Sequence, residues 1–300
     1  MKTVTIVMSA YNGECCIERQ LDSLFTQKDV DVTVYVRDDG STDDTLTVLK
    51  QYRNEKQPTA LLIEEGQNCG WELSFLIALQ NAPLTQYYAF SDQDDIWFDN
   101  KLSRCITVLE KFDTSKAQMV HCNRISCNEQ LVSLRHQAPK VPRPLSRENA
   151  VTQEYAQGCT IVMNSIAKEF VCRYIPKTRM PHDFWTGMVC YFLGEVHYCP
   201  ESLFYHINHG NNTSNAGHIR ASQIARIHNF FSESLYPNPA NDLLEGYPDL
   251  LGDDKFLQEL KNYKHSFKAR LALLFNPKFR RVNIAGTILL KIAVLLGKIQ

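Results

Sequence analysis

The chain has 300 residues, 44% apolar and 22% charged, the proportions of an ordinary globular protein with room for one large domain or two modest ones. Its 32 Lys and Arg nearly balance 33 Asp and Glu, leaving a formal charge of -1, so no basic field argues for a nucleic-acid partner. Ten cysteines are scattered without a Cys-x-x-Cys pair or zinc-finger spacing, which favours small buried thiols in a reducing cytoplasm over a disulfide framework.

Met1 to Met8 enters a strand pattern without an apolar h-region, so no secretory signal is expected. Val4–Met8 reads as a first strand, cut by the turn-forming Ser9-Ala10-Tyr11-Asn12-Gly13. Ile17, Leu21, Leu24 and Phe25 then recur at helical spacing. Val30–Val36 is a second strand, stopped by Arg37-Asp38-Asp39-Gly40-Ser41, and Leu46, Val48, Leu49 and Tyr52 mark the next helix. Leu61–Ile63 is a third strand, Trp71–Leu79 a third helix and Tyr87–Phe90 a fourth strand. Such alternation predicts an α/β fold with a mostly parallel central sheet, and polar clusters after three of the four strands would gather along one sheet edge.

The later sequence is less regular. Val141-Pro142-Arg143-Pro144 suggests a loop or lid, Thr160–Met163 a strand and Asp183–Phe192 a helix. Pro237 to Asp254 is rich in Pro, Asn, Gly and Asp and reads as a connector to a helical tail.

The chemistry concentrates at three places. Asp38-Asp39-Gly40-Ser41 ends a strand and opens a helix, where carboxylates can accept from a base N–H or ribose hydroxyls, and where Ser41 or Thr42 can equally cap the helix. Tyr11 would face the same edge and offers an aromatic face to a base. Asp92, Asp94 and Asp95 crowd three carboxylates after the fourth strand, a set that suits Mg²⁺ or Mn²⁺ on a substrate's phosphates or, more plainly, an acidic turn. Asp183, flanked by His182, Phe184 and Trp185, is placed for partial desolvation and general-base work, or for an N-cap. His209, in Tyr205-His206-Ile207-Asn208-His209-Gly210-Asn211-Asn212, could ligate a metal or hold a diphosphate.

Taken in order, these segments resemble the inverting family 2 glycosyltransferases of GT-A fold, and within them the rhamnosyltransferase-like enzymes of bacterial surface-polysaccharide assembly. The resemblance rests on Val7–Gly13, Gln20–Leu24, Arg37–Asp43, Asn68-x-Gly70, Ser91–Trp97 with Lys101-Leu102, Gly158-Cys159-Thr160, His182-Asp183-x-Trp185 and His209–Asn212, and spans roughly residues 3 to 215. It implies a Rossmann-like sheet flanked by helices over residues 1–215, with a helical extension over 216–300. It implies that Tyr11 and Asp39 hold the nucleotide base with Asp38 in support, and that Asp92 approaches the ribose or donor sugar. Asp94, with His209, would bind the Mg²⁺ or Mn²⁺ on the diphosphate, Asp95 would support that site, and Asp183 would deprotonate the acceptor hydroxyl. The implied donor is a dTDP- or UDP-linked sugar, and the acceptor a glycan or polyprenyl-linked saccharide. Ser74-Phe75 departs from an expected Asn-Phe, and Asn208 stands where Gln is common.

Two other readings are separable. A sugar-phosphate nucleotidyltransferase would need a Gly-rich, basic triphosphate loop near the amino terminus, which Ser9–Glu14 lacks. A sugar-nucleotide-binding scaffold would not need the base-like Asp183. From Lys255 onward the chain is basic, and on a helical wheel Ile284, Ile288, Leu289, Ile292, Leu295, Leu296 and Ile299 share one face while Thr287, Lys291 and Lys298 share another. Lys291 argues against a membrane span. Such a helix suits either the surface of the cytoplasmic membrane or packing against protein.

Overall fold

The structure, a computed structural model, describes residues 1–134, 145–153, 156–208 and 238–299. The segments 141–144 and His209–Asn212, both singled out above, lie outside the described residues.

The chain divides into two compact units, the first made of Met1–Lys140, Ala156–Ile175 and Pro181–Asn208. Its centre is an eight-stranded sheet ordered β3-β2-β1-β4-β7-β6-β8-β5. The strands are β1 (Lys2–Ala10), β2 (Val30–Asp38), β3 (Leu61–Glu65), β4 (Tyr87–Ser91), β5 (Ile96–Trp97), β6 (Gln118–Cys127), β7 (Ile161–Asn164) and β8 (Glu195–Ile207). The first four are mutually parallel, with Met8 opposite both Val36 and Ser91. Their β-branched runs are buried on both faces, as a helix-covered parallel sheet requires. Val4, Ile6 and Met8 join Ile17, Leu21 and Leu24 of helix α1 (Ile17–Phe25) in one apolar cluster.

Helices α2 (Thr45–Lys56) and α3 (Trp71–Asn81) carry the crossovers between the parallel strands, and α4 (Lys101–Leu109) follows β5. Beyond β4 the sheet is mixed, with β6 and β8 parallel and the other pairings antiparallel. β7 pairs antiparallel with both β4 and β6, placing Ala89 opposite Val162. The start of β7 therefore lies at the same edge as the end of β4. The preceding Gly158–Thr160 forms a single 3-10 turn. Helices α6 (Ser165–Arg173) and α7 (His182–Leu193) complete the unit, α6 being capped by the Asn164 side-chain Oδ1 accepting from Ala167 N–H at 3.0 Å.

The second unit comprises Val141–Tyr155, Pro176–Met180 and His209–Gln300, so it draws in two segments ahead of the boundary expected at residue 215. It contains α5 (Arg147–Ala150), α8 (Ala240–Gly246), α9 (Pro248–Leu251), α10 (Lys255–Asn262), α11 (Phe267–Phe275) and α12 (Ile284–Leu296). The expected connector from Pro237 to Asp254 thus holds two short helices. Asp254, Ser266 and Asn283 cap α10, α11 and α12 through their side-chain oxygens. Phe256, Leu257, Leu260, Leu273, Phe279 and Leu290 are buried among these helices. Tyr263 Oη donates to the Ile299 carbonyl at 2.6 Å and accepts from its N–H at 2.8 Å. Among the described residues no helix is long and apolar enough to cross a membrane.

Candidate active site

The tips of β1, β2 and β4 are stitched together by side chains. Asp39 N–H donates to the Ala10 carbonyl at 2.8 Å. Asn12, held at φ 49°, donates its N–H to Ser41 Oγ at 3.0 Å and accepts from Thr42 N–H at 2.8 Å. Gln93 clips the β4 tip to β1: its Oε1 accepts from Tyr11 N–H at 2.9 Å and its Nε2 donates to the Tyr11 carbonyl at 3.1 Å. A Cβ at Gly13 would lie 2.5 Å from Gln93 Oε1, so the clip needs glycine there. The Tyr11 side chain stands out from this junction, 46% exposed.

The two β2 carboxylates are turned inward. Asp38 accepts from the N–H and hydroxyl of Ser41. Neither Ser41 nor Thr42 caps the following helix, contrary to expectation, because α2 begins only at Thr45 and the Ser41 hydroxyl is spent on Asp38. Asp39 is 2% exposed, and its carboxylate receives Arg37 together with the N–H groups of Cys69 and Gly70, each at 3.0 Å. Buried charge of this kind persists only when paired and hydrogen-bonded. Gly40, at φ 76°, lets the chain turn directly after them.

After β4, Asp92, Asp95, Cys159 and His206 each bring one potential ligand atom within 4.8 Å of the others. Asp95 is fully buried; its Oδ1 lies 2.9 Å from His206 Nδ1, while its Oδ2 has no hydrogen-bond partner among the described residues. Burial, then the charges of Asp95 and Asp94, push Asp92 up to about 7. Burial pulls His206 down, but the bond to Asp95 outweighs it and the pKa is raised overall. Asp94 stands outside this foursome, half-buried, and its charge helps raise the Cys16 thiol. The carboxylates of this set suit a divalent cation: Asp92 and Asp95 stand close together, and the buried Asp95 Oδ2 has no hydrogen-bond partner among the described residues.

The turn Gly158-Cys159-Thr160 links this cluster to Asp183. Gly158 N–H donates to Asp183 Oδ2 at 3.0 Å, and the adjacent Cys159 supplies the thiol of the foursome. Asp183 sits in the first turn of α7 behind the cap position, which Pro181 fills, and its Oδ1 accepts from Phe184 N–H at 2.7 Å. Burial raises its pKa to about 6 against the lowering pull of the backbone donors. Next to it, His182 is buried, stacked on Phe75 at 4.0 Å and edge-on to Phe90 at 4.7 Å, with neither ring nitrogen hydrogen-bonded among the described residues. Burial drives its pKa down to about 3, so it is neutral at physiological pH. A Cβ at Gly158 would collide with the His182 ring. Gly158→Ala should therefore cost about 1–3 kcal/mol, read as a lowered denaturant midpoint with unchanged slope.

Tyr11, Asp38, Asp39, Asp92, Asp94, Asp95 and Asp183 thus lie along one edge of the first unit, linked by Gln93 and the Gly158-Cys159 turn. His209 lies outside the described residues. Sequence reasoning passed over Gln93, Cys159, His206 and Lys101 as functional candidates. The Lys101 ammonium is fully buried, donates to the Cys159 carbonyl at 2.6 Å and sits 3.1 Å from the Trp97 ring centroid. Its signal was the resemblance carrying Lys101-Leu102; His206 showed only as a neighbour of His209.

A family model described as glycosyl transferase family 2 matches residues 5–171. The dTDP-rhamnosyl transferase RfbG of Shigella flexneri is 39% identical over 106 residues, which cover 34% of this chain and only 36% of that protein's length. An uncharacterized glycosyltransferase, alr2836, of Nostoc sp. is 26% identical over 234 residues, 74% of this chain and 70% of that one. Among solved structures, S. aureus TarS 1-349 in complex with UDP-GlcNAc aligns with a TM-score of 0.57 at 16% identity, over 98% of this chain and 80% of that chain. Mannosyltransferase PcManGT from Pyrobaculum calidifontis, in complex with GDP-Man and Mn2+, aligns with a TM-score of 0.55 at 17% identity, over 98% and 87%.

Proposed function

Because this chain belongs to glycosyl transferase family 2 and is a glycosyltransferase of GT-A fold, we propose that it moves a sugar from a nucleoside-diphosphate donor to a hydroxyl of a glycan or polyprenyl-linked acceptor, with inversion, in bacterial surface-polysaccharide synthesis. Rhamnose on dTDP is the first candidate donor, supported by the similarity to a dTDP-rhamnosyl transferase. A UDP-linked hexose is the second, supported by 29% identity over 110 residues to an Escherichia coli enzyme whose name gives UDP-Glc as donor and a diphosphoundecaprenol acceptor. The enzyme would work in the cytoplasm, at the periphery of the inner membrane face, where such acceptors are anchored.

One observation carries the reading: a single turn, Gly158-Cys159, holds the Asp183 carboxylate by its N–H while its thiol meets the acidic tip after β4. A proton acceptor and a cation-suited acidic cluster therefore share one edge. Tyr11 offers its exposed ring to the nucleotide base, and Asp38 and Asp39 fix the backbone of the platform beneath it. Asp92 faces the ribose or donor sugar. Asp94, with His209, would hold Mg²⁺ or Mn²⁺ on the diphosphate, and Asp95, anchored to His206, sets the pitch of that loop. Such an ion, when bound, neutralises the charge that develops on the leaving diphosphate. Asp183 takes the proton from the acceptor hydroxyl as its oxygen attacks the anomeric carbon opposite the diphosphate. The bond to the diphosphate breaks as the new glycosidic bond forms, so no covalent sugar–enzyme intermediate arises.

Thermal stabilisation by a panel of dTDP-rhamnose, UDP-Glc, UDP-GlcNAc and GDP-Man, with and without Mn²⁺, tests the donor class. The proposal expects a metal-dependent shift for at least one member and radiolabel transfer from the same sugar; a flat panel would remove it. Tyr11→Ala should weaken that nucleotide by about 1–2 kcal/mol, or about 5–30-fold in Kd by calorimetry, through loss of base stacking.

A further inference from the structure

Helix α12 is mounted inside out. Its polar residues point into the second unit: Lys291 Nζ donates to the Leu273 and Asn276 carbonyls at 2.6 and 3.1 Å, satisfying the carboxyl end of α11. Thr287 Oγ1 donates to the Arg281 and Asn283 carbonyls at 2.9 and 3.0 Å. Leu290, Ala293 and Val294 fill the same inward side. Ile284, Ile288, Leu289, Ile292, Leu295 and Leu296 point outward, Ile284 being 81% exposed and Leu295 53%. At 3.6 residues per turn these six occupy an arc of roughly 140°, so they form one continuous apolar face. Phe267 and Phe275, at the two ends of α11, are exposed as well, at 74% and 80%. Apolar surface this continuous marks an interaction site in a native protein.

The surrounding charge selects the occupant. From residue 255 onward there are ten Lys and Arg against the single acid Glu259. Lys264, Lys268, Lys278 and Arg280 are exposed among them. A second copy of the same face would bring like charge against like charge. An anionic lipid surface complements both features, taking the apolar side chains into its interfacial layer and the cations at its headgroups. The Lys291 ammonium is committed to α11 and does not interrupt the face.

We propose that the outward face of α12, flanked by the basic residues of α11 and the loop that follows it, rests on an anionic bilayer surface. This deepens the peripheral location proposed above, and its test uses no sugar substrate, so it succeeds or fails independently of the transferase reading.

The experiment is flotation of the full chain with vesicles of phosphatidylglycerol and phosphatidylcholine, and with phosphatidylcholine alone. Co-flotation is expected with the anionic vesicles and is expected to fall at least tenfold with phosphatidylcholine alone or in 0.5 M salt, on the order set by counterion screening. Ile288→Glu/Leu295→Glu should abolish it, and so should Lys264→Gln/Lys268→Gln/Arg280→Gln, an exposed set that leaves the apolar face itself unchanged. Circular dichroism melting on each variant checks that the fold is retained. Absence of flotation with anionic vesicles would overturn the proposal. So would equal binding to both vesicle types, or a concentration-dependent dimer by light scattering that the Ile288→Glu/Leu295→Glu variant dissolves, since that outcome assigns the face to a second copy.

Discussion

Asp183→Asn should lower sugar transfer by about 10²–10⁴-fold, the range for removing a positioned general base, while leaving donor affinity unchanged. The amide oxygen can still accept from Gly158 N–H, while the amide nitrogen cannot accept from Phe184 N–H, so one of the two backbone contacts goes with the proton affinity. In the parent enzyme burial raises this carboxyl to about 6, so the competent ionised form accumulates above that pH. The rate should climb through about pH 6 and level off, whereas the residual rate of the variant should show no such step. Stability carries the opposite sign. A carboxyl whose folded pKa exceeds the unfolded value of about 3.9 opposes folding once ionised. The Asn variant lacks this penalty, so its stability relative to the parent should rise as pH climbs from about 4 to about 6. That relative gain should vanish below the unfolded value, where the parent carboxyl is protonated in both states. A variant that keeps full transfer at pH 7 would take Asp183 out of the chemistry.

Asp94→Ala should cost about 10²–10³-fold in turnover and erase the Mn²⁺-dependent part of the thermal stabilisation by nucleoside diphosphate. Asp94 is half-buried, so its loss should leave the melting temperature of the ligand-free protein close to the parent. Asp95→Ala is the informative contrast. It strips the partner from His206 and leaves a buried imidazole unpaired, which should destabilise the fold by about 3–5 kcal/mol. Melting curves with and without Mn²⁺, run on both variants, separate a residue that meets the ion from one that braces the loop. If the two melt alike and respond alike to Mn²⁺, the division of labour between these neighbours fails.

The amino-terminal half of the fold was legible because buried parallel strands read as apolar runs stopped by acids, and the acids mark the edge where ligands bind in open α/β sheets. β6 and β8 were missed for a physical reason. Gln118-Met119-Val120-His121-Cys122-Asn123-Arg124 interleaves polar residues, and partners far along the chain meet some of them, as where Asn123 Nδ2 donates to the Pro200 carbonyl at 2.7 Å. The pairing of Asp95 with His206 spans 111 residues, and no local period encodes it. Asp39 was expected to hold a base, and in the structure its carboxylate also pairs with Arg37, two positions back. That clue was in the sequence. On α12 the wheel separated the two faces, but not which one turned inward. That was decided by unsatisfied carbonyls at the end of α11, invisible until the helices meet.

The Gly158-Cys159 turn touches Asp183 through one residue and the acidic tip through the next. If these carry the roles proposed above, arrival of the donor would be felt where the acceptor is activated. Changes made at Asp92 and at Asp183 should accordingly refuse to sum in a double-substitution cycle, the deviation being the energy stored in that shared fulcrum.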